Sequence, residues 1–401
     1  ELAKKVTPQA QRELDEIVEV TFVGNPIMHH LLLGINPVEL GGAPFALATD
    51  ESVRVRARDL DLTLHTNTRC YVLPCIAGHV GADTAGMILS EAPYHREAMS
   101  LLVDIGTNAE IVLGNNELLL AASSPTGPAF EGAQISSGQR AAPGAIERVR
   151  IDRETLEPRF QVIGSDLWSN ESGFKKATKA MEVTGICGSG IIEVIAEMYL
   201  TGIISQDGVI NGALATKSKH IIPDGRTFSY VLSHGKHIIQ ITQNDVRAVQ
   251  LAKAALYAGI RLLMERMETK TIDRIRLAGA FGSHIDVKYA MVLGLIPDCN
   301  LEYVSSAGNA AGTGARIALL NYESRKEIEE IVRQVEKVET AVEVKFQEHF
   351  VDAMAFPHKT DSFPNLAKAV VLPSVTNTQN KSETNQLRKK RRHKKDDFQK
   401  F

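Results

Sequence analysis

Short apolar runs alternate with longer amphipathic stretches over most of the chain, and this alternation predicts an α/β fold. At the start, a helix is expected near residues 8–16, followed by a buried strand at 17–23. Pro26 then suits the first position of a helix that ends near Leu33. The same patterns predict strands at 71–76 and 275–280 and helices at 78–89, 187–201, 244–267, 287–293 and 310–320.

The region 99–123 has the most regular pattern. Three apolar runs at 101–105, 110–113 and 118–122 are separated by the turns Gly-Thr-Asn and Gly-Asn-Asn. Tight turns rich in glycine and asparagine favour hairpin connections between neighbouring strands. The region therefore predicts a three-stranded antiparallel meander.

The charges are segregated along the chain. The whole sequence has 45 Lys+Arg against 48 Asp+Glu, but residues 381–401 carry nine basic and three acidic residues. The rest therefore bears a net charge of −9. From about residue 374 the polar and then basic composition predicts a disordered tail. Such a tail could contact nucleic acid through nonspecific electrostatics, but no specific nucleic-acid partner is expected.

The remaining composition is that of a globular protein with no membrane partner. No apolar run approaches the ~20 residues of a membrane span, and the polar start is not a secretory signal. The four cysteines are Cys70, Cys75, Cys187 and Cys299, and none forms a CxxC pair. We expect reduced core thiols and a cytoplasmic location, with no zinc or iron–sulfur site in this chain.

A candidate phosphate-binding turn lies in the meander, at Asp104-Ile-Gly-Thr-Asn108. Small turn residues allow backbone N–H groups to approach phosphate oxygens, and a hydroxyl adds a donor. A carboxylate at the strand end could hold Mg²⁺ through water. The alternative is an ordinary hairpin without a ligand.

Two further segments are rich in small residues. The segment 277–282 (LAGAFG) follows a predicted strand and would allow close approach of a sugar and base, or only tight strand–helix packing. The segment 185–190 (GICGSG) precedes a predicted helix and is typical of an anion-binding nest. Cys187 within it could be a nucleophile or a small packing residue. Neither segment is a GxGxxG dinucleotide fingerprint.

The order of these segments resembles the second half of the acetate/sugar-kinase, heat-shock chaperone and actin ATPase superfamily. A small-residue helix at 78–90 comes first, then the DIGTN meander, then LAGAFG, then a small-residue helix at 308–319. In the superfamily these parts are connect-1, phosphate-2, adenosine and connect-2. The resemblance implies an actin-like, ribonuclease H-like α/β ATPase fold, with one complete lobe and part of the other. It also implies that the two connecting helices pack closely at a hinge.

A closer resemblance is to the C-terminal ATPase domain of the ferredoxin-like reductive activators of corrinoid proteins. It runs from about residue 8 to about 370 and rests on nine ordered blocks: VGNPIMHHLLLGINPVELGGAPF (23–45), CIAGHVGADTAG (75–86), DIGTNAEI (104–111), GPAFEGAQISSG (127–138), TGICGSGII (184–192), ITQNDVRAVQLAKAA (241–255), LAGAFGSHID (277–286), LGLIP (293–297) and GNAAGTGARIALL (308–320).

This resemblance implies ATP with Mg as cofactor, a corrinoid protein or corrinoid-dependent methyltransferase as partner, and ATP-driven reduction of Co(II) corrinoid to Co(I). A homodimer is compatible with it. The [2Fe–2S] cluster of the family is expected only in a missing N-terminal domain. The phosphate-1 hairpin is also missing, so we expect this chain to be a redox-inert fragment with weak ATP binding.

The resemblance also implies domain limits and roles for individual residues. Residues 1–95 would be a remnant of the first lobe, 96–325 the second lobe, 326–373 a C-terminal helix and strand region, and 374–401 a disordered tail. Asp104 would be catalytic and coordinate Mg-bound water. The nucleotide would contact Gly106, Thr107, Asn108, Glu131, Gly279, Ala280, Phe281 and Gly282.

Two other functions remain open from the sequence. A sugar or acid kinase of the same superfamily would need a catalytic Asp on the substrate side and a phosphate-1 hairpin, and we identify neither. A docking module would use the nucleotide fold mainly to bind a corrinoid protein. Nucleotide-independent binding to such a protein would favour that second alternative.

Overall fold

The structure, a computed structural model, describes residues 1–282 and 284–373. The basic tail at 374–401 lies outside the described residues. Helices in the described part are α1 (Leu2–Val6), α2 (Pro26–Leu32), α3 (Ala82–Glu91), α4 (Phe174–Ala177), α5 (Gly188–Leu200), α6 (Gln243–Arg266), α7 (Gly279–Gly282), α8 (Val287–Leu293), α9 (Ala310–Leu320), α10 (Tyr322–Ile331), α11 (Phe346–Ala353) and α12 (Pro364–Ala369). Strands are β1 (Glu19–Phe22), β2 (Val53–Arg56), β3 (Arg69–Val72), β4 (Ser100–Ile105), β5 (Ala109–Gly114), β6 (Leu119–Ser124), β7 (Ile146–Ile151), β8 (Pro158–Val162), β9 (Ile221–Asp224), β10 (Thr227–His234), β11 (Ile238–Ile241), β12 (Arg274–Ala278), β13 (Val304–Gly308) and β14 (Glu336–Lys337).

A six-stranded mixed sheet forms the centre of the fold, in the order β13-β12-β4-β5-β6-β14. The strands β4, β5 and β6 are antiparallel neighbours, which confirms the predicted meander. The strands β12, β13 and β14 are added in parallel pairings. Because β12 pairs directly with β4, the ends of these two strands lie side by side.

Helices cover both faces of this sheet, as the α/β prediction requires. Successive residues of β4 alternate between the faces. Leu101 belongs to a buried apolar cluster that includes residues of α5, α6 and α8, whereas Leu102 belongs to a second cluster with residues of α3 and α9. Asp104, two positions after Leu102, therefore points toward the α3 and α9 side.

The helices α3 and α9 are in close backbone contact, as expected for the two connecting helices. A Cβ atom added at Gly314 would lie 2.0 Å from the carbonyl oxygen of Gly86. One added at Gly86 would lie 2.8 Å from the carbonyl oxygen of Ala311. Neither glycine can carry a side chain without separating the helices, so the small residues set their spacing.

A smaller sheet, in the order β1-β3-β2, precedes the central one and differs from the sequence expectation in two ways. The helix expected at 8–16 is wrong, because Gln11 has a left-handed φ of 54° and only a short 3₁₀ turn forms at Leu14–Glu16. The strand expected to be buried is a half-buried edge strand, β1. The helix beginning at Pro26 is confirmed, with the Asn25 side chain accepting a hydrogen bond from the N–H of Met28.

The long helix α6 organises the C-terminal part of the chain. It begins after Thr242, which forms a capping box with Asp245, so the helix starts one residue before the expected 244. The buried Lys253 on α6 donates hydrogen bonds to the carbonyl oxygens of Ala355 and Pro357. Burial lowers the pKa of this lysine well below its usual value. The chain after α11 is therefore fixed against α6.

None of the helices in the described ranges is both long enough and apolar enough to cross a membrane.

Candidate functional site

The turn between β4 and β5 contains the predicted phosphate-binding residues. Within the turn, the N–H of Gly106 donates a hydrogen bond to the carbonyl oxygen of Asn108 at 3.1 Å. The hydroxyl of Thr107 donates to the carboxylate of Glu131 at 2.8 Å. The structure therefore brings Glu131 to the same turn as Asp104, although the two residues are far apart in sequence. The N–H of Gly106 is already used within the turn.

The segment that follows β6 forms hydrogen bonds to the backbone of the β4–β5 turn. The hydroxyl of the buried Thr126 lies within donating distance of two carbonyl oxygens, those of Gly106 (2.9 Å) and Thr107 (3.1 Å). The N–H of Gly127 also donates to the carbonyl oxygen of Thr107, at 2.9 Å. These contacts fix the backbone of the turn before any ligand is present, which reduces the entropy lost on binding.

The second glycine-rich segment begins beside Asp104. In the pairing of β4 with β12, Asp104 is opposite Ala278, and Gly279 follows with a left-handed φ of 86°. A Cβ atom added at Gly279 would lie 2.2 Å from the Oδ1 atom of Asp104. Only glycine combines this φ with this approach. Gly282 ends the short helix α7, whereas the side chains of Ala280 and Phe281 lie outside the described residues.

Three carboxyl groups accumulate beneath the turn. Glu110 is directly opposite Asp104 in the register of β4 and β5, and Asp83 lies in the first turn of α3. Burial, followed by repulsion from Asp83, raises the pKa of Asp104 to about 6. Burial, followed by repulsion from Asp83 and Asp104, raises the pKa of Glu110 to about 9. Burial also raises the pKa of Asp83. A cation near Asp104 would relieve this repulsion.

Asp104, Gly106 and Glu131 line one end of a cleft with a volume of about 760 Å³. This volume is in the range of small-molecule and cofactor sites. The cleft also contains the start of α5, which is the GICGSG segment of the sequence. There, the Cys187 thiol donates to the carbonyl oxygen of Ile146 and contacts the Ser189 hydroxyl, each at 3.3 Å. The lining includes Asp104, Gly106, Glu131, Arg140, Glu147, Cys187, Gly188, Ser189 and His284.

The donors in this cleft fit magnesium and a nucleotide better than an iron–sulfur cluster. In the described ranges, no group of three or more His, Cys, Asp or Glu side chains could hold a metal ion by itself. Mg²⁺ needs no such group, because it retains waters and binds phosphate oxygens beside one or two carboxylates. An iron–sulfur cluster needs several thiolates, and all four cysteines are buried free thiols.

Comparisons with known proteins agree with this arrangement. Residues 98–367 match the family described as "C-terminal domain of RACo the ASKHA domain", and residues 1–95 match the "RACo middle region". The chain belongs to the reductive activators of corrinoid proteins. This membership confirms the expected α/β, actin-like fold.

Individual members of the family have similar sequences and structures. The chain is 36% identical over 364 residues to the corrinoid activation enzyme RamQ of Eubacterium limosum, covering 88% of this chain and 58% of that protein. It is 28% identical over 277 residues to the [Co(II) methylated amine-specific corrinoid protein] reductase of Methanosarcina barkeri, covering 67% of this chain and 48% of that protein. The solved structure of a reductive activator for a corrinoid, iron–sulfur protein matches with a TM-score of 0.76 and 32% identity, over 89% of this chain and 55% of that one. The chain thus spans about half the length of these relatives.

Several residues in or near the cleft are not predicted from the sequence. Asp83 lies in the CIAGHVGADTAG block and Glu110 in DIGTNAEI, but a one-dimensional pattern does not show that they are near Asp104. Arg140 and Glu147 line the cleft, but they follow the block at 127–138 and have no pattern of their own. The GICGSG segment does carry a signal, because small residues before a helix are typical of an anion-binding nest.

Proposed function

We propose that this chain is the ATP-binding part of a reductive activator that uses ATP to drive reduction of a Co(II) corrinoid to Co(I). The observation that carries the proposal is the close approach of Gly279 to the half-buried carboxylate of Asp104, whose Oδ1 atom would lie 2.2 Å from a Cβ atom added at Gly279. This approach, beside a cleft that Asp104 lines and that is large enough for a nucleotide, is what a phosphate and adenosine site requires. The sequence relationship supports corrinoid reduction as the reaction served.

In this proposal each predicted site residue keeps its role. Asp104 would hold Mg-bound water, and the Gly106–Asn108 turn would contact the β- and γ-phosphates, with Glu131 accepting a hydrogen bond from the hydroxyl of Thr107. The segment at 279–282 lies along the adenosine. Magnesium supplies positive charge that offsets the phosphates and the carboxyl groups beneath the turn. The repulsion from Asp83 that helps to raise the pKa of Asp104 to about 6 supports this role, because a cation would offset it.

Coupling between ATP and electron transfer requires two conformations with different nucleotide affinities. We propose that the lobes meet near residues 95–96 and that a third region, 326–373, completes the second lobe. The close contact of Gly86 with Gly314 supports a hinge there, because helices in backbone contact can rotate only as packed units. Nucleotide binding at Asp104 would then bias the angle between the lobes.

We further propose a corrinoid protein, or a corrinoid-dependent methyltransferase that contains one, as the partner. A [2Fe–2S] cluster would come from outside this chain. A cytoplasmic location is proposed as well, since four free buried thiols suit a reducing compartment.

The test uses the full-length protein, an Asp104→Asn variant and an Asp166→Asn control. Asp166 is an exposed residue outside the lining of the cleft. Reduction of a Co(II) corrinoid protein is followed by its absorbance, with and without ATP. We expect Asp104→Asn to lose ATP stimulation while its iron–sulfur centre is still reduced normally, and Asp166→Asn to behave like wild type. Undiminished ATP stimulation in Asp104→Asn would refute the assignment, and ATP-dependent phosphorylation of a sugar or acid would indicate the kinase alternative.

A further inference from the structure

A second cavity lies between the small first sheet and the end of α9. Its volume is about 600 Å³, and it shares no lining residue with the cleft at Asp104. Four basic side chains line it: Arg54, Arg56, Arg69 and Arg325. The acidic side chains in the lining are Glu19 and Asp59, which leaves an excess of two positive charges. The surrounding chain is acidic, so this concentration of arginine is a local feature.

Two of the arginines oppose each other directly. Arg56 and Arg69 are paired in the antiparallel register of β2 and β3. Like charges at directly opposed positions destabilise a sheet. Of the nearby carboxylates, Glu19 binds Arg325 at 2.8 Å and also lies opposite Arg69 in the register of β1 and β3, whereas Asp59 lies 3.7 Å from Arg58. The Arg56 guanidinium donates to the carbonyl oxygen of Asn67 at 3.0 Å. Within the described residues neither Arg56 nor Arg69 forms an ion pair, so the repulsion between them is only partly offset.

The other two arginines are held in place by aromatic rings. The Arg54 guanidinium lies 5.5 Å from the ring centre of Tyr71 and 5.8 Å from that of Tyr322. It also forms an ion pair with Glu329 of α10 at 2.7 Å. The guanidinium of Arg325 also lies over the ring of Tyr71, 4.7 Å from its centre. These contacts hold the guanidinium groups in fixed positions, which is how a preformed binding site is built.

The cavity joins the two family regions of the chain. Arg56 and Arg69 belong to the part that matches the middle region, whereas Arg325 and Leu319 belong to the C-terminal domain. A ligand in the cavity would therefore contact both regions at once. Its binding energy would favour the relative position of the regions in which all four arginines converge.

We propose that this cavity binds a small multivalent oxyanion, a molecule that carries phosphate or carboxylate groups. The guanidinium group presents paired N–H donors that match the oxygens of either group. An oxyanion between Arg56 and Arg69 reduces the repulsion between them, while Arg54 and Arg325, each already paired with a carboxylate, line the same cavity. The site is distinct from the proposed ATP site, so the proposal holds or fails independently of corrinoid activation.

The test titrates the full chain with pyrophosphate and, separately, with citrate by calorimetry at constant ionic strength. The variants Arg56→Gln and Arg69→Gln remove one cation each, and Arg226→Gln is the matched control. Arg226 is exposed, lies in the turn between β9 and β10, and is outside the lining of the cavity. We expect both cavity variants to bind the preferred probe at least about tenfold more weakly, as for a lost charged hydrogen bond. Arg226→Gln should stay close to wild type.

A second measurement separates binding from folding. Because each cavity substitution removes one of two opposed charges, the thermal midpoint without ligand should stay unchanged or rise. The preference for pyrophosphate over citrate, or the reverse, identifies the anionic group. Absence of binding by wild type at millimolar probe would overturn the proposal. So would equal affinity in wild type and both cavity variants, because the anion would then bind elsewhere, such as at the basic tail. A lower midpoint in both variants would show that the arginines stabilise the fold, and this result would also overturn it.

Discussion

The contact between α3 and α9 leaves no space for a side chain at Gly314. An added Cβ atom would lie 2.0 Å from the oxygen and 2.5 Å from the carbon of the Gly86 carbonyl group. Backbone atoms cannot rotate away, so the helices must separate by about 1 Å or more. Overpacking of this kind costs about 3 kcal/mol, and replacing glycine by alanine inside a helix returns about 1 kcal/mol. Gly314→Ala should therefore lower the free energy of unfolding by about 2 kcal/mol.

The matched control is Gly259→Ala, at a buried glycine of α6. There an added Cβ atom would lie 2.8 Å from the Cδ1 atom of Ile111 and 3.4 Å from the Cβ atom of Ser124. The end of an isoleucine side chain can move, so the packing cost and the gain in helix propensity should nearly cancel. Urea denaturation followed by circular dichroism gives both free energies, provided that the slope is unchanged. The reasoning is refuted if Gly314→Ala unfolds at the same urea concentration as Gly259→Ala.

Three further predictions concern other buried groups. Glu110→Gln should stabilise the chain at pH 8 but not at pH 4. A carboxyl pKa raised from 4.5 to about 9 makes the folded state lose stability as pH rises above 4.5, and glutamine removes that loss. Thermal unfolding at the two pH values tests this, and equal effects at both would contradict it. Lys253→Met leaves the carbonyl oxygens of Ala355 and Pro357 without their donor and should cost about 2 kcal/mol, measured by urea denaturation; an unchanged midpoint would count against it. Thr126→Val removes the hydroxyl that bonds the carbonyl oxygens of Gly106 and Thr107, so the turn should become less ordered. Mg·ATP binding to the full-length protein should weaken about fivefold in calorimetry, and equal affinity would show that these hydrogen bonds do not order the turn for binding.

Local elements were predictable from the sequence where turn chemistry and periodicity agree. The strands β4 to β6 follow from apolar runs separated by Gly/Asn turns, and α9 begins and ends where its small-residue pattern does. The helix expected at 8–16 failed because this segment has no apolar face to bury and Gln11 is left-handed. The start of α6 differs from the expected residue by one position, because several polar residues precede the helix and only the three-dimensional contact selects Thr242 as its cap.

The candidate site was predictable only in part, because some of its residues meet only through tertiary packing. Asp104 and the glycine turn were identified because their chemistry is contained in five consecutive residues. Burial and Asp83 of α3 raise the pKa of Asp104, and Glu110 lies opposite it on the neighbouring strand. The approach of both residues depends on helix packing and strand register. The arginine cavity is similarly hidden, because Arg56 and Arg69 oppose each other only once β2 and β3 are paired.

The pairing of β4 with β12 has a consequence for the synthesis of the protein. At the start of these strands, the N–H of Met99 donates to the carboxylate of Asp273, which lies 174 residues later. A ribosome adding about 5–20 residues per second needs roughly 10–35 s to cover that distance. During this interval, one edge of β4 has no strand beside it, and the carboxyl group of Asp104 has no neighbouring glycine loop. The nascent meander is therefore exposed to pairing with other chains until its distant partner has been made.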